Sequence, residues 1–499
     1  MSTVFDFNGA SGCGWSQPDS TFRNPDAVPE SLRRKRLPGW PRASEPELVR
    51  HYTLLSQKTY GIDTGFYPLG SCTMKHNPRV NERIVQLPGI DRIHPLQDSS
   101  QVQGLLAIYY EMQEMLAICS GMDAVTLQPV AGAQGEFTAI RCIQEYHRAR
   151  GDNHRDKVIV PDSAHGTNPA SASMCGYQII EIPSALDGRL DIDALRAAVG
   201  DDTAAMMITN PSTLGLFETN IAEASQIVHD AGGQMYYDGA NFNAIIGKTD
   251  PGRMGFDAVH YNLHKTFSQP HGGGGPGSGP IGVKGHLSEF LPTPLASRRE
   301  SQEGDPTGVG DGFHYFWKDV GENSIGKVQQ WNGNAGAVVR AWAFYRRYGR
   351  DLERMSEYAV LNSNYLRHKI MNPEPEVAAD INCMPSEGAE ASLVMHEFTL
   401  SMSPVKEVNG VTGKDIAKRL LDYGYMSPTL YFPQIVPECL MIEPTETESM
   451  EVLNKFASDF HKVLAEDPEI VKSAPHSTPV KRVDEVWAAR NLVLRSPEK

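Results

Sequence analysis

The sequence predicts an α/β protein in which a mostly parallel sheet is covered by helices and followed by a smaller α+β part. Two observations predict the sheet. Between residues 124 and 264 short apolar runs alternate with helix-period stretches, the rhythm of strand–helix–strand units. Those runs are apolar on both faces, as strands sandwiched between helices must be. The smaller part follows from a third observation. From "NAGAVVRAWAFYRRYG" onward, long helical patterns dominate and strand-like runs such as "SLVMHEFTLS" are few. Three regions result: 1–90, 91–335 and 336–499.

Residues 1–90 are rich in Pro, Arg and Gly with little apolar periodicity, and read as an arm or extended lead-in. Order begins at "QGLLAIYYEMQEMLAICSGM". There Leu105, Ile108, Tyr109, Met112, Met115, Leu116 and Cys119 recur at helical spacing. Strands are expected at 124–130, 157–162, 177–182, 203–210, 233–238 and 258–264. Helices are expected at "GEFTAIRCIQEYHRAR" and "IAEASQIVHDAG". Residues 284–326, polar and Gly-rich, read as a loop excursion.

Composition narrows the function. The chain has 499 residues, 40% hydrophobic and 21% charged, which suits a folded chain of two domains or one large domain with a smaller one. A net charge of −15 argues against nucleic acid or an anionic membrane as the main partner. No run approaches the ~18 apolar residues of a membrane span. The start, "MSTVFDFNGASGCGWSQPDS", lacks the apolar core of a secretory signal. Cys13, Cys72, Cys119, Cys142, Cys175, Cys383 and Cys439 are scattered without a CxxC pair. They suggest a reduced compartment, cytosolic or organellar, with the cytoplasm expected, and no metal site.

Each expected strand ends in a residue with chemical potential. After 124–130 comes the small-residue turn "AGAQGE", opening a helix near Gly135, and after 157–162 comes "SAHGTNPAS" with His165. Strand 203–210 ends in Asn210, Ser212 and Thr213; 233–238 ends in Asp238; 258–264 ends in His264 and Lys265. In a parallel sheet these tips face one crevice. Singly each has a plainer reading: Asp238 as a turn cap before Gly239, His165 as a structural histidine, Gly132 and Ala133 as close packing.

Together they match the needs of pyridoxal phosphate. That cofactor requires a lysine amine for a Schiff base, an acid on its pyridine nitrogen, a phosphate cradle and a flat neighbour for its ring. A helix start rich in small residues offers N–H donors to the phosphate. A carboxylate at 238 favours the protonated pyridine. Lys265 follows Asp238 by 27 residues, room for one crossover and the next strand.

Competing motifs fail on context. "GGGGPG" and "GSGPIG" (272–282) fit G-x-G-x-x-G but neither follow a strand nor open a helix. "FNAIIGKT" has Phe242 where a phosphate loop needs Gly, and "MHEFTL" has Leu400 where a zinc motif needs His.

With these residues assembled, the chain resembles the glycine decarboxylase P-protein of the glycine cleavage system, in particular the β subunit (subunit 2) of its two-chain form. The resemblance runs from about Phe66 to Leu494. It is carried by "YPLGSCTMKHNP", "AGAQGE", "SAHGTNPASA", "NPSTLGLFE", "YYDGANFNAI", "NLHKTFSQPHGGGGPGSGPIGV", "MHEF", "PTLYFPQIVPECLMIEPTETE" and "APHSTPVKRVDEVWAARNLVL". It implies a fold type I pyridoxal 5'-phosphate enzyme with the Schiff base on Lys265. Asp238 would pair with the pyridinium and His165 stack on the ring. Backbone groups of Ala133 and Gln134 would hold the phosphate, with Asn210, Ser212 or Thr213 near the ring hydroxyl. Three departures stand out. Met426 in "GYMSPT" replaces a usual His, "GENSIGK" replaces an Arg-Pro-containing segment, and the loop at 297–314 is expanded.

The implied activity is oxidoreductase chemistry in glycine catabolism. Glycine is decarboxylated and the aminomethyl group passes to the lipoyl arm of H-protein, with CO2 released. His264 either carries protons or packs beside Lys265. The implied assembly is α2β2, with an α subunit (subunit 1) of similar fold. The glycines after Lys265 let backbone approach a crowded site. A lipoyl channel there predicts that bulky groups at Gly273 or Gly274 damage the H-protein reaction more than cofactor binding. A simple amino-acid decarboxylase and a non-catalytic assembly subunit are the alternatives. "GSCTMK" and "EPTETE" argue against the first, and the retained Lys265 and Asp238 argue against the second.

Overall fold

The computed structural model describes residues 3–7, 28–33, 43–272, 275, 277–305, 308–373, 382–384 and 393–494. Gly273 and Gly274, where a channel is expected, lie outside the described residues. The chain forms two compact units, one ending at Thr64 and one beginning at Gly65.

In the first unit a helix spans Glu45–Ser56, where the sequence suggests only an extended lead-in. A capping box explains it. The Ser44 N–H donates to Glu47 Oε2 at 2.7 Å, and Ser44 Oγ accepts from the Glu47 N–H.

The second unit is built on a seven-stranded sheet of order β1-β7-β6-β5-β4-β2-β3. Its strands are β1 Ala124–Thr126, β2 Lys157–Pro161, β3 Gln178–Ile182, β4 Thr203–Thr209, β5 Gln234–Gly239, β6 Ala258–Tyr261 and β7 Ile281–Val283. β2 to β6 run parallel, whereas β7 is antiparallel to both β6 and β1. β7 lies just before the 284–326 stretch that patterning reads as a loop excursion, where no strand is expected. It is three residues long and follows Pro280, too short for a periodicity signal. Every residue of β4, β5 and β6 is buried, as strands covered on both faces must be. Helices Gln103–Ser120, Gly132–Ala149 and Ile221–Asp230 lie where apolar spacing places them.

The polar stretch after β7 is not all loop. β8 Leu295–Glu300 and β9 Phe313–Lys318 pair as an antiparallel hairpin. Its aromatic strand packs on the Gln103 helix, with Trp317 edge-on to Tyr109. A second, antiparallel sheet has the order β10-β11-β13-β12, from Asn382–Met384, Phe398–Ser401, Cys439–Ile442 and Thr429–Leu430. It carries its own core of Phe398, Leu400, Leu440, Ile442, Phe456 and Phe460. The helix Leu352–Met371 joins the two cores, with Leu352 and Met355 in the first and Leu366 and Ile370 in the second. No helix among the described residues is long and apolar enough to cross a membrane.

Candidate active site at the strand tips

Register sets the site. Thr209 of β4 lies beside Asp238 of β5, which lies beside His260 of β6. The carboxyl ends of the three central strands therefore stop at one level, and the chain beyond β6 turns through Asn262 to Lys265, whose N–H donates to the Asn262 carbonyl. Among the described residues, the Lys265 amine makes no hydrogen bond or ion pair.

Asp238 is buried at 1% exposure. One carboxylate oxygen accepts the Ala240 N–H at 2.9 Å and lies 3.6 Å from His260 Nε2. Burial pushes its carboxyl up, but His260, the Ala240 N–H, His165 and Lys265 outweigh it and hold the group below its ordinary value. His260 is fixed by Tyr236 and Asn262, each 2.6 Å away, and burial lowers it to about 4.

His165 follows β2 and is half-buried. Its Nδ1 lies 2.8 Å from Thr167 Oγ1, which donates to Glu136 Oε1 at 2.7 Å. Ser171 donates to the other oxygen of Glu136. Burial first, then the charge of Asp238, pushes Glu136 up to about 7. Burial also lowers His165, leaving its imidazole neutral at neutral pH.

The helix Gly132–Ala149 begins beneath the tips without a side-chain cap on Ala131. Gln134 is spent on its own turn, since its Oε1 accepts the Val130 N–H and its Nε2 donates to the Val328 carbonyl. The first-turn N–H groups of Gly132, Ala133 and Gln134 are the donors left to a ligand. Close approach is built in here. A Cβ on Gly279 would stand 2.0 Å from the Ala131 carbonyl oxygen, and one on Gly132 2.7 Å from Asn262 Oδ1. The neutral imidazole, ionised carboxylate, unpartnered amine and uncapped helix start form a donor set that fits pyridoxal phosphate.

The remaining expected residues serve the loops. Asn210 pins its turn by accepting the Glu218 N–H at 2.9 Å. Ser212 Oγ accepts the Leu214 N–H, and Thr213 donates to the Ser163 carbonyl at 2.8 Å. His264 Nδ1 sits against the Ser278 backbone, and burial lowers its ring to about 3.

Sequence reasoning missed a second layer. The segment after Phe66 runs along the antiparallel sheet, Leu69 bridging to Ile442, and carries Cys72 into the field of Lys265. Lys75, 3% exposed, donates to the Thr266 carbonyl and pairs with Glu446, both at 2.7 Å. Glu397 and Glu443, just beyond the ends of β11 and β13, lie within the field of Lys265. The quoted motifs "GSCTMK", "MHEF" and "EPTETE" held all of these residues, without a spacing rule to give them roles.

Residues 355–482 match the family model described as glycine dehydrogenase, C-terminal domain. A relative from Alkaliphilus oremlandii, named "Probable glycine dehydrogenase (decarboxylating) subunit 2", is 51% identical over 471 residues, covering 94% of this chain and 92% of its own. The chain belongs to the glycine dehydrogenase (decarboxylating) subunit 2 family. A subunit 2 relative from Thermococcus gammatolerans is 48% identical over 98% of this chain and 95% of its own. Among solved structures, an inhibitor-bound glycine decarboxylase (P-protein) of the glycine cleavage system superposes with TM-score 0.69 at 17% identity, covering 88% of this chain and 93% of that one. A sphingosine-1-phosphate lyase from Burkholderia pseudomallei gives 0.60 at 15%, covering 90% and 94%. These two likenesses show that the subunit 2 chain has the fold type I architecture.

Proposed function

We propose that this chain is the lysine-bearing subunit of a glycine decarboxylase that binds pyridoxal 5'-phosphate through Lys265. It releases CO2 from glycine and passes the aminomethyl group to the lipoyl arm of H-protein. The observation that carries this reading is the unpartnered Lys265 amine beside an ionised, buried Asp238 at adjoining strand tips. When bound, pyridoxal phosphate supplies an electron sink for the pair of electrons left on Cα as CO2 departs.

The chain's own residues do the rest. Lys265 would be the covalent attachment point for the cofactor, and its free amine is a group that could carry a proton. Asp238 accepts the N–H of the ring nitrogen and keeps it protonated. His165, held through Thr167 and Glu136, would stack on the ring, N–H groups at Ala133 and Gln134 would hold the phosphate, and Asn210, Ser212 or Thr213 would lie near the ring hydroxyl. His264, tied to Ser278, supports an anchoring role for the Gly-rich segment.

On this reading residues 91–335 bear the cofactor and 336–499 close over it. An α subunit completes an α2β2 assembly, and scattered cysteines suit the cytoplasm. Borohydride treatment of the cofactor-loaded chain followed by peptide mapping tests the reading. The adduct is expected on Lys265, and Lys265→Ala is expected to lose it together with at least ~10³-fold of turnover. An adduct on another lysine, or turnover surviving in Lys265→Ala, would overturn it.

A further inference from the structure

Glu397 immediately precedes β11 and Glu443 immediately follows β13. Phe398 pairs with Ile442 in that antiparallel ladder, so the two glutamates stand opposite each other one step beyond it. Like charges in that position repel. Both side chains are 0% exposed, and ligand atoms of the pair and of His396 lie within 4.8 Å of one another.

Their partners leave charge uncompensated. The Ser71 N–H donates to Glu397 Oε2 at 2.6 Å, and Asn241 Nδ2 donates to its other oxygen at 3.1 Å. The Thr73 N–H donates to Glu443 Oε2 at 2.9 Å. Ser71 and Thr73 take φ of +65° and +42°, a region L residues rarely occupy, and both aim their N–H groups at the pair. No lysine or arginine among the described residues touches either carboxyl. Among the described residues, Glu443 Oε1 and both ring nitrogens of His396 are buried without a hydrogen-bond partner, His396 Nε2 standing 3.9 Å from Glu397 Oε1. The groups whose charge bears on the pair are Lys265, Cys72, Cys439, His396 and Glu446, the last paired with Lys75. Two bare carboxylates cannot share such a site, whereas one proton between them halves the charge and turns the orphan oxygen into a donor.

We propose that Glu397 and Glu443 share a single proton, so that the pair carries one negative charge and acts as the buried counter-charge of Lys265. They are positioning residues, and their action on Lys265 rests on the cofactor reading above. The shared proton does not. Burial pushes both carboxyls well above the usual carboxylate range, reinforced by the charge of Glu443 at Glu397 and of Glu446 at Glu443.

The test is infrared spectroscopy on the full cofactor-free chain, with metal content measured on the same sample. A carboxylic-acid carbonyl band is expected at pH 6, disappearing on titration to pH 9. Its pH midpoint should fall in Glu397→Gln and in Glu443→Gln, because the remaining carboxyl no longer faces a second acid. Glu136 and Glu448, also pushed up to about 7 by burial, give bands that persist in both variants and vanish only with their own substitution. In the cofactor-loaded chain each single variant should leave the pH midpoint of the Lys265-linked absorbance within about 0.3 unit. The double variant should lower it by about one unit or more, through loss of the counter-charge. A wild-type chain without such a band, or with a divalent cation bound in its place, would overturn the proposal whether or not the variants fold. So would a double variant with an unmoved midpoint. A normal band in a chain that binds no cofactor would instead sink the cofactor reading and leave the shared proton standing.

Discussion

Asp238 and Lys265 have opposite fates in one crevice. The carboxylate is pinned by the Ala240 N–H and flanked by His260, while among the described residues the amine has no hydrogen-bond partner. Asp238→Asn keeps the shape and removes the charge. It should retain cofactor binding yet lose roughly 10²-fold or more in turnover, the scale of one preorganised electrostatic partner. Absorbance titration and steady-state rates on the same preparation check this, and full activity in Asp238→Asn would place the ring nitrogen elsewhere. His165 is held one step back through Thr167 to Glu136. Thr167→Val should therefore weaken cofactor affinity by about tenfold, close to the loss of one charge-assisted hydrogen bond, without changing the melting profile of the cofactor-free chain.

The helix start beneath the tips works because backbone comes closer than any side chain allows. Gly279→Ala forces a Cβ within 2.0 Å of the Ala131 carbonyl, whereas Gly275→Ala meets nothing within 4 Å. The first should cost about 1–3 kcal/mol of stability and displace the phosphate donors, while the second should leave melting and cofactor affinity unchanged. Equal behaviour of the two variants would remove the close-approach argument. This is also the scale at which legibility divides. β4, β5 and β6 were readable because two-sided burial writes an unbroken apolar run. The tip residues followed once the sheet was taken as parallel. β7 was not readable, being three residues between a proline and a polar loop, nor was the half-exposed hairpin β8–β9, whose face alternates only weakly. Glu397 and Glu443 belong to distant motifs, and only the cross-strand register of β11 and β13 brings them together. No spacing in the sequence encodes that.

Across the whole molecule, the buried acids set the response to pH. Glu136 is raised to about 7, and the Glu397–Glu443 pair, raised by burial and by the charge of Glu443 on Glu397, holds one further proton in the folded chain. Unfolded, each carboxyl ionises near ~4.3. Above that value the folded state holds more protons than the unfolded one, so stability is complete at low pH and falls as pH rises towards 7–8. The slope approaches ~1.4 kcal/mol per pH unit for each such proton. Melting temperature of the cofactor-free chain should therefore decline from pH 6 to pH 8.5, and decline less in Glu397→Gln. A melting temperature that climbs across that window would contradict the burial of these acids.

If Lys265 and its neighbours decarboxylate glycine for transfer to a lipoyl arm, the reaction must run in reverse as well. Exchange of labelled bicarbonate into the carboxyl of glycine tests it most directly, run with lipoylated H-protein and with or without a candidate α subunit. Exchange is expected to require glycine, H-protein and an intact Lys265, and to reach its full rate only with the α subunit. A cofactor-loaded chain that forms the Lys265 adduct yet exchanges no bicarbonate under any of these combinations would contradict this assignment.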